Sequence, residues 1–347
     1  MPAAATLATT WFLVPLAIAL AGTWVALRYA RGRGLLDQPG ERRSHAVATP
    51  RGGGISIVAA LLLAILILGY SEPELRPVLL AGALGLVLVA AVGWIDDHRP
   101  LSPLLRLAAH AFSACLLAAA LLLSGHGVLP ALLAFGAVLV LVNVWNFMDG
   151  IDGLATTQAA IAALGYALLA GPGAAMWLSL ALAGACLGFL PYNFPKARIF
   201  LGDVGSGALG QALALILALM LVSPRTGLAA TPWPLLVLPL AAFLVDASLT
   251  LGRRMLRGEA WWLPHVQHAY QGWARTLGRH VPVTLAYAGW SMIGVAFMYA
   301  LTGAGHGFII VTVAVAGWCL AGCLVWVFLQ RSCNRQRGKA KGWAHRQ

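Results

Sequence analysis

Apolar stretches of about 20 residues recur along the whole chain, and they restrict the fold more than any other feature. An α-helix of about that length crosses a bilayer core, because every backbone amide then finds its hydrogen-bond partner inside the segment. Only 10% of the residues are charged, 60% are hydrophobic, and the mean hydropathy is +0.82. The sequence therefore predicts an all-α polytopic membrane protein. About eleven spans are expected, near residues 8–28, 54–70, 77–95, 104–124, 128–146, 154–171, 174–192, 205–222, 233–251, 283–302 and 306–329.

Basic residues divide unevenly between the two sides that such spans define. If the N-terminus lies outside, every Lys and Arg except Arg76 and Arg225 falls in a cytoplasmic segment. This positive-inside pattern favours an odd number of spans and a cytoplasmic C-terminus. No basic residue precedes the first span, so we interpret it as a retained helix rather than a signal peptide. We expect one membrane domain over residues 1–330 and a basic cytoplasmic tail over residues 331–347.

The formal net charge of +12 is therefore mostly a charge of the cytoplasmic face. Such a face suits anionic lipid headgroups or anionic substrates, and we do not expect a nucleic-acid partner. Of the acids, only Glu72 and Glu74 fall on the outer side. Five polar segments from distant parts of the chain share the cytoplasmic face, as a single composite site requires. They are residues 42–54, 94–100, 143–155, 192–210 and 265–271.

The third of these segments contains "NVWNFMDGIDGLA". Asn143, Asn146, Asp149 and Asp152 recur at every third position, so on a helical or 3₁₀-like turn they line one side. The glycine after each Asp lets the backbone come close to a ligand. A helix-ending turn with capping carboxylates would account for the two acids alone. Two Asp and two Asn on one strip favour a ligand site.

Two more motifs carry acids. Asp96 and Asp97 are adjacent, so in a regular helix their side chains point about 100° apart. At a helix end, one could order a metal ion while the other orients a partner or takes part in proton transfer; capping of the neighbouring helix is the alternative. In "GDVGSG", glycine-rich backbone before a span could offer N–H groups to phosphate, and Asp203 could bind Mg²⁺. A simple N-cap would explain Asp203 alone.

Histidines and arginines on the same face suit phosphate. His265 and His268 are three positions apart, on one face of a predicted short helix. With no close third ligand, we favour imidazoles that bind phosphate oxygens over a transition-metal site; two interfacial histidines without a role are the alternative. Arg43, His45 and Arg51 have the chemistry for phosphate as well.

One acid lies deeper in the predicted membrane region. Asp246 falls in the ninth span, about two helical turns before the basic residues that follow it. It could pair with a basic group or line the site from below. The sequence leaves its role open.

In this combination the chain resembles the polyprenyl-phosphate N-acetylhexosamine-1-phosphate transferases of glycosyltransferase family 4. The match runs from about residue 42 to residue 271 and takes the five segments in order. "RRSHAVATPRGGG" is similar to the family's basic first loop, and "DDHRPLSPLLR" to its Asp-Asp segment with Arg106 at the basic position. "NFMDGIDGLA" is similar to its NxxDGxDGL segment, and "PKARIFLGDVGS" to its PAxxFxGDxGS segment. Each motif is weak alone, but five in order on one face are strong.

The resemblance implies a reaction. The phosphate of a polyprenyl phosphate, undecaprenyl phosphate in this expectation, attacks the β-phosphate of a UDP-N-acetylamino sugar and releases UMP. It implies Mg²⁺ as the cofactor, with Mn²⁺ as an alternative ion. The expected partners are these two substrates, membrane lipids and a second copy of the chain in a possible homodimer. The expected location is the bacterial inner membrane, with the active site facing the cytoplasm.

The resemblance also assigns residues. Asp203 is implied as the leading metal ligand, with Asp96, Asp97 and Asp149 as further ligands. Catalytic roles are implied for Asp96, Asp97 and Asp203. The implied substrate-binding residues are Arg43, His45, Arg51, Arg106, Asn146, Asp149, Asp152, His265 and His268.

The last segment favours one branch of the family. "PHVQHAYQ" lacks the run of consecutive histidines with a following acid that marks the peptidoglycan branch, and it resembles the O-antigen-initiating type. Some enzymes of that type use 6-deoxy-amino sugars. We therefore expect the chain to initiate O-antigen or a related cell-surface glycan.

Two other functions compete with this interpretation. A CDP-alcohol phosphotransferase would need an Arg soon after the DG pair and further spaced acids, and the apolar run after Thr156 and Thr157 does not supply them. In an ion-coupled transporter, Asp246 and glycine-interrupted spans would form a site at the membrane midplane. The acids cluster at one face instead, and no paired halves are evident.

Overall fold

Helices form nearly all of the computed structural model, which describes residues 2–38, 47–228, 231–260, 262–263 and 265–344. The helices are α1 (Pro2–Arg33), α2 (Ile55–Ser71), α3 (Arg76–His98), α4 (Pro103–Leu123), α5 (Val128–Met148), α6 (Leu154–Ala170), α7 (Ala174–Asn193), α8 (Asp203–Val222), α9 (Ala241–Leu256), α10 (Ala269–Leu277), α11 (Val281–Gly303) and α12 (Phe308–Ala344). Two 3₁₀ segments, Pro73–Leu75 and Trp233–Leu240, lead into α3 and α9. Strands β1 (Leu36–Asp37) and β2 (Thr49–Pro50) form a short antiparallel pair.

Each predicted span coincides with a helical element. Within the described residues, nine helical segments are long and apolar enough to cross a membrane. Helices α2 and α6 are apolar and have 17 residues each. At a rise of about 1.5 Å per residue they reach about 25 Å, close to the thickness of a hydrocarbon core. The predicted all-α polytopic class is confirmed.

Helix α8 lies at the centre of the bundle and is buried along its length, chiefly against α5 and α3. Glycines permit this approach. A Cβ atom at Gly210 of α8 would overlap the Leu141 carbonyl of α5, and one at Gly93 of α3 would overlap the backbone at Asp203. In a bilayer, such close packing replaces the hydrophobic effect as the force between helices. The N-terminus of α8 is thereby fixed against the ends of α3 and α5.

The glycine run before α2 also packs against the start of α8. The amides of Gly53 and Gly54 donate to the carbonyls of Phe200 and Leu201, and the Phe200 amide donates to Pro50. A Cβ atom at Gly54 would overlap the backbone of α8. These bonds hold the segment from β2 to α2 against the start of α8, and they bring Arg51 to the same place.

The segment before α10 departs from the prediction. We expected a short helix over His265 and His268, but residues 265–267 are irregular and His268 is the N-cap of α10. The prediction was wrong because the amides of Ala269 and Tyr270 donate to the carboxylate of Asp246, which sets the start of the helix there. At the other end of the chain, the predicted basic tail continues α12 as helix to Ala344.

Candidate active site

A cavity of about 660 Å³ is lined by the ends of α3, α5 and α8 and by the segment before α10. Residues from all five predicted polar segments take part in this lining. The predicted site residues among them are Arg51, Asp96, Asp97, Arg106, Asn146, Asp149, Asp152, Asp203, His265 and His268. Arg43 and His45 lie outside the described residues. The structure thus brings the others to one cavity, and their chemical roles stay predictions.

Asp96 and Asp203 share one guanidinium group. Nη1 of Arg106 donates to Oδ2 of Asp96 at 3.0 Å and to Oδ2 of Asp203 at 3.3 Å. Oδ1 of Asp203 accepts from Nδ2 of Asn146 at 2.9 Å, and the amide of Leu101 donates to Oδ1 of Asp96. Two carboxylates from helices far apart in sequence therefore point at one place beside a fixed cation.

Asp97, the residue after Asp96, has different hydrogen-bond partners. Its Oδ1 and Oδ2 accept the backbone amides of Asp203 and Val204, each at 3.2 Å, and its side chain is 5% exposed. Gly202 makes the approach possible, because its φ is +76° and a Cβ atom there would touch Oδ2 of Asp97. The prediction that the first amides of α8 are free for phosphate was wrong, since Asp97 occupies them.

Arg51 supports Asp97 from the opposite side. It donates to the backbone carbonyl of Asp97 and lies 3.9 Å from the carboxylates of both Asp97 and Asp37. Both acids line the cavity, but their contacts differ: Asp96 accepts from Arg106 and from the Leu101 amide, whereas Asp97 accepts the first amides of α8.

The predicted strip of two Asn and two Asp is not continuous. Asn146 donates to Asp203 and to the Ser206 hydroxyl. Asn143, one turn earlier in α5, donates to the Leu139 carbonyl and lines a different cavity. Helix α5 ends at Met148, so the threefold spacing stops describing a common face just before the acids.

Asp149 and Asp152 occupy the turn between α5 and α6. Burial, and then the charges of Asp97 and Asp152, raise the pKa of Asp149 to about 7. Oδ2 of Asp152 lies 3.1 Å from Nδ1 of His280, and the Thr284 hydroxyl donates to the Asp152 carbonyl. The start of α11 therefore holds this turn at the cavity.

His280 is a cavity residue that the sequence reasoning missed. His280 directly precedes α11, on the same side of the helix bundle as the acids. This position in the sequence was the feature that could have identified it as a site residue. Local sequence spacing could not predict the contact between His280 and Asp152, because the two residues are 128 positions apart. The pairing depends on how α11 packs against α6.

The two histidines of the last segment form a stacked pair. Their ring centroids are 4.9 Å apart, and the His268 ring also stacks on Tyr270 at 5.7 Å. Burial, and then the neighbouring His268 and Arg254, lower the pKa of His265 to about 4. A neutral imidazole can donate one hydrogen bond to a phosphate oxygen, but it brings no charge near pH 7.

A second cavity, of about 530 Å³, adjoins the first and is mostly apolar. Side chains of α3, α4 and α5 line it, among them Val89, Leu107 and Val142. The two cavities have six lining residues in common, namely Pro103, Arg106, Asn146, Phe147, Asp203 and Trp262. The carboxylate pair with its guanidinium therefore lies where a polar cavity meets an apolar one.

Asp96 and Asp203 are suited to a magnesium ion. Carboxylate oxygens are the ligands that Mg²⁺ prefers, and Mg²⁺ usually keeps waters and substrate phosphate oxygens as its other ligands. Within the described part of the chain, no group of three or more His, Cys, Asp or Glu residues is placed to hold a metal ion. The geometry favours these two acids over Asp97, whose oxygens are both engaged by α8.

Comparison with known proteins gives the same family as the motifs. A model described as Glycosyl transferase family 4 matches residues 79–221. A phospho-N-acetylmuramoyl-pentapeptide-transferase of Synechococcus elongatus is 32% identical over 306 residues, which cover 74% of this chain and 79% of that protein. A probable undecaprenyl-phosphate N-acetylglucosaminyl 1-phosphate transferase of Bacillus subtilis is 28% identical over 275 residues, or 75% of each chain.

The match to a third relative is shorter. A decaprenyl-phosphate N-acetylglucosaminephosphotransferase of Mycobacterium tuberculosis is 32% identical over 211 residues, so the chain spans about half the length of that protein, 52%. The alignment with the Synechococcus protein is longer and covers most of both chains. The chain therefore belongs to glycosyl transferase family 4, the family of the polyprenyl-phosphate N-acetylhexosamine-1-phosphate transferases.

Proposed function

We propose that the chain transfers an N-acetylamino-sugar 1-phosphate from a UDP-sugar to undecaprenyl phosphate. An oxygen of the prenyl phosphate forms a bond to the β-phosphorus of the UDP-sugar. The bond from that phosphorus to the bridging oxygen breaks, and UMP leaves with this oxygen. Undecaprenyl-diphospho-sugar stays in the membrane. A prenyl phosphate is largely ionised near neutral pH, so the attack hardly needs a general base.

The meeting of the polar and apolar cavities at Arg106 and Asp203 is the observation that carries this proposal. One substrate is a water-soluble diphosphate and the other a lipid phosphate, and the reaction requires their phosphates to meet. The polar cavity suits the nucleotide sugar, and the apolar one suits the first isoprene units of the lipid. A transporter site at the midplane would not need this junction.

The residues of the junction have complementary tasks. Arg106 offers guanidinium donors to phosphate while it keeps Asp96 and Asp203 in place. His265, neutral at pH 7, donates a hydrogen bond to the diphosphate, and His268 lies beside it. Asn146 fixes the orientation of Asp203 through its 2.9 Å hydrogen bond. Together these groups reduce the repulsion between two anionic substrates.

We propose Mg²⁺ as the cofactor, held by Asp96 and Asp203, with Mn²⁺ as an alternative. When bound, such an ion neutralises negative charge on the transferred phosphoryl group. The oxygen donors and the acidic pair support this assignment. Asp149 contributes to the nucleotide-sugar side of the cavity in this proposal.

The proposal also specifies the type of glycan that the reaction initiates. We favour an O-antigen or related surface glycan, because "PHVQHAYQ" lacks consecutive histidines. The named relatives include both a phospho-N-acetylmuramoyl-pentapeptide-transferase and N-acetylglucosamine phosphate transferases. The excess of basic residues supports a bacterial inner-membrane location with the cavity facing the cytoplasm.

The test is UMP release by the purified protein in detergent. The protein is incubated with undecaprenyl phosphate, Mg²⁺ and each of a panel of UDP-N-acetylamino sugars and UDP-N-acetylmuramoyl-pentapeptide, with and without EDTA. Release that requires the lipid, and that EDTA abolishes, is the expected result, and the panel identifies the sugar. If protein shown to be folded releases no UMP with any of these sugars, the proposal is refuted and a transporter is favoured.

His265→Ala refines the same assay. Without its imidazole, the diphosphate loses one hydrogen-bond donor, and we expect a higher KM for the UDP-sugar or a lower turnover. Wild-type kinetics in this variant would remove His265 from the diphosphate site. His126→Ala is a suitable control, because His126 lies in the turn between α4 and α5 and lines neither cavity.

A further inference from the structure

Asp246 is a buried acid that the proposed reaction does not use. It is 2% exposed and lies in α9, where α9 meets α10, α11 and α12. Its carboxylate accepts five hydrogen bonds, all between 2.7 and 3.2 Å. Oδ1 accepts from the Thr250 hydroxyl, the Ala269 amide and the Trp326 indole, and Oδ2 accepts from the Tyr270 amide and the Tyr287 hydroxyl.

Only a carboxylate satisfies this set of donors. Both oxygens of an ionised carboxylate accept hydrogen bonds, and the group carries no proton that would itself need an acceptor. An asparagine would turn an NH₂ group toward at least two of the N–H or O–H donors, whichever way its amide is oriented. A buried charge is costly, so a purely packing role would be served as well by an apolar side chain. The arrangement points to a task that needs the acceptors.

That task is to place the start of α10. The amides of Ala269 and Tyr270 belong to the first turn of the helix, where backbone donors lack partners within the helix. Asp246 binds both of them, and its Oδ1 lies 3.5 Å from Nδ1 of His268. The carboxylate therefore fixes the backbone that carries His268 and faces one nitrogen of its ring.

A second contact continues this link to the turn after α5. The Tyr270 hydroxyl donates to the Phe147 carbonyl at 3.0 Å, two residues before Asp149. A Cβ atom at Gly150 would overlap the same hydroxyl. Tyr270 is fully buried, so its position follows that of the backbone that Asp246 holds. The chain of contacts from Asp246 thus reaches both the histidine segment and the acidic turn.

We propose that Asp246 is a positioning residue that acts through His268 and Tyr270 and sets the diphosphate-binding side of the cavity. The inference rests on the proposed function, since it assumes that His268 and the turn at Asp149 bind the diphosphate of a nucleotide sugar. Asp246 itself does not line the cavity. Its effect on the substrate is therefore indirect.

The first experiment does not depend on the reaction. Hydrogen–deuterium exchange of the full-length protein in detergent reports the amides at the start of α10, which Asp246 protects. In Asp246→Asn we expect their exchange to accelerate about tenfold or more. Tyr287→Phe is the matched control, because it removes one donor to the same carboxylate and leaves the α10 contacts in place. Unchanged exchange in Asp246→Asn, or equal acceleration in Tyr287→Phe, would overturn the link.

The second experiment measures the affinity for UDP in the presence of Mg²⁺. Asp246→Asn should raise the Kd by about tenfold or more, by analogy with the range found for groups that orient metal-ligating histidines. Because Asp246 acts partly through His268 and partly through Tyr270, the double variant Asp246→Asn/His268→Ala should lose less affinity for UDP than the sum of the two single losses. Additive losses in this cycle, or a wild-type Kd in Asp246→Asn, would overturn the proposal.

A further variant guards against loss of folding. Tyr270→Phe keeps the ring and the amide bonded to Asp246 but removes the hydroxyl that reaches Phe147. We expect weaker binding of UDP without faster exchange at the start of α10. If Asp246→Asn yields no folded protein, a wild-type Kd in Tyr270→Phe overturns the proposal. A wild-type protein that binds no UDP and releases no UMP would instead refute the proposed function, and the exchange result would still test the Asp246 contacts.

Discussion

Asp97→Asn tests whether the second acid of the Asp-Asp pair serves the fold. Asparagine has the shape of aspartate but only one acceptor oxygen, so its NH₂ group would face one of the amides of Asp203 and Val204. A hydrogen bond to a charged acceptor contributes about 1.5–3 kcal/mol, and a negative charge at a helix N-terminus contributes about 0.3–1 kcal/mol. We therefore expect the free energy of unfolding to fall by about 3 kcal/mol.

The assay is thermal unfolding of the purified protein in detergent, followed by the fluorescence of its tryptophans. A loss of about 3 kcal/mol should lower the apparent Tm by about 4 °C, because the unfolding entropy of a chain of 347 residues is about 0.7 kcal/mol/K. Asp96→Asn is the matched control, because it removes the same charge one residue away while Arg106 keeps Asp203 as a partner. We expect it to lower the Tm less than Asp97→Asn does, because the asparagine oxygen can still accept the Leu101 amide. An Asp97→Asn protein that unfolds at the wild-type temperature but has no transferase activity would refute this reasoning, because Asp97 would then serve the reaction and not α8.

Three more changes have distinct expected outcomes. Asp203→Asn should lower UMP release by about a thousandfold or more, with a nearly unchanged Tm, since it removes a charge without opening a cavity; failure of the protein to fold would count against a chemical role. The raised pKa of Asp149 means that the folded state holds a proton between about pH 4 and 7 that the unfolded state has lost. Stability should therefore fall as the pH rises through this window, by up to about 4 kcal/mol, and Asp149→Asn should flatten the Tm profile between pH 5 and pH 8; equal slopes would contradict the assignment. Gly153→Ala should lower the Tm or the yield of folded protein by the equivalent of about 2 kcal/mol or more, because φ is +72° and the new Cβ atom would lie 2.7 Å from the Phe194 ring. Gly136→Ala, which meets no atom within 4 Å, is its control.

The membrane helices could be read from the sequence because bilayer thickness fixes their length. Each apolar run of about 20 residues had one stable outcome, and the structure has a helix at each of them. The gathering of polar segments at one cavity followed from the same regularity, since an even number of crossings returns the chain to one face. The positions of the spans and the distribution of polar residues between them therefore predicted the location of the site.

The partners of individual residues could not be read in this way. His268 was expected on a short helix, but the carboxylate of Asp246, 22 positions earlier, moves the helix start to Ala269. His280 pairs with Asp152 only because α11 lies beside the turn that follows α5. Local spacing reports which residues share a face of one element. It contains no information on which groups of other elements that face meets.

The glycine-rich motifs show why a single motif can encode both chemistry and packing. In "RGGG", Arg51 is a predicted phosphate-binding residue, whereas Gly53 and Gly54 hydrogen-bond to residues 200 and 201, and Gly54 touches α8. In "GDVGSG", Gly202 makes room for Asp97, whereas Asp203 faces the cavity. The carboxylates of Asp96 and Asp203 can share Arg106 only because glycines let α2, α3 and α8 meet at their backbones. Substituting these glycines should therefore impair transfer through displacement of the acids, even though no glycine side chain takes part in the chemistry.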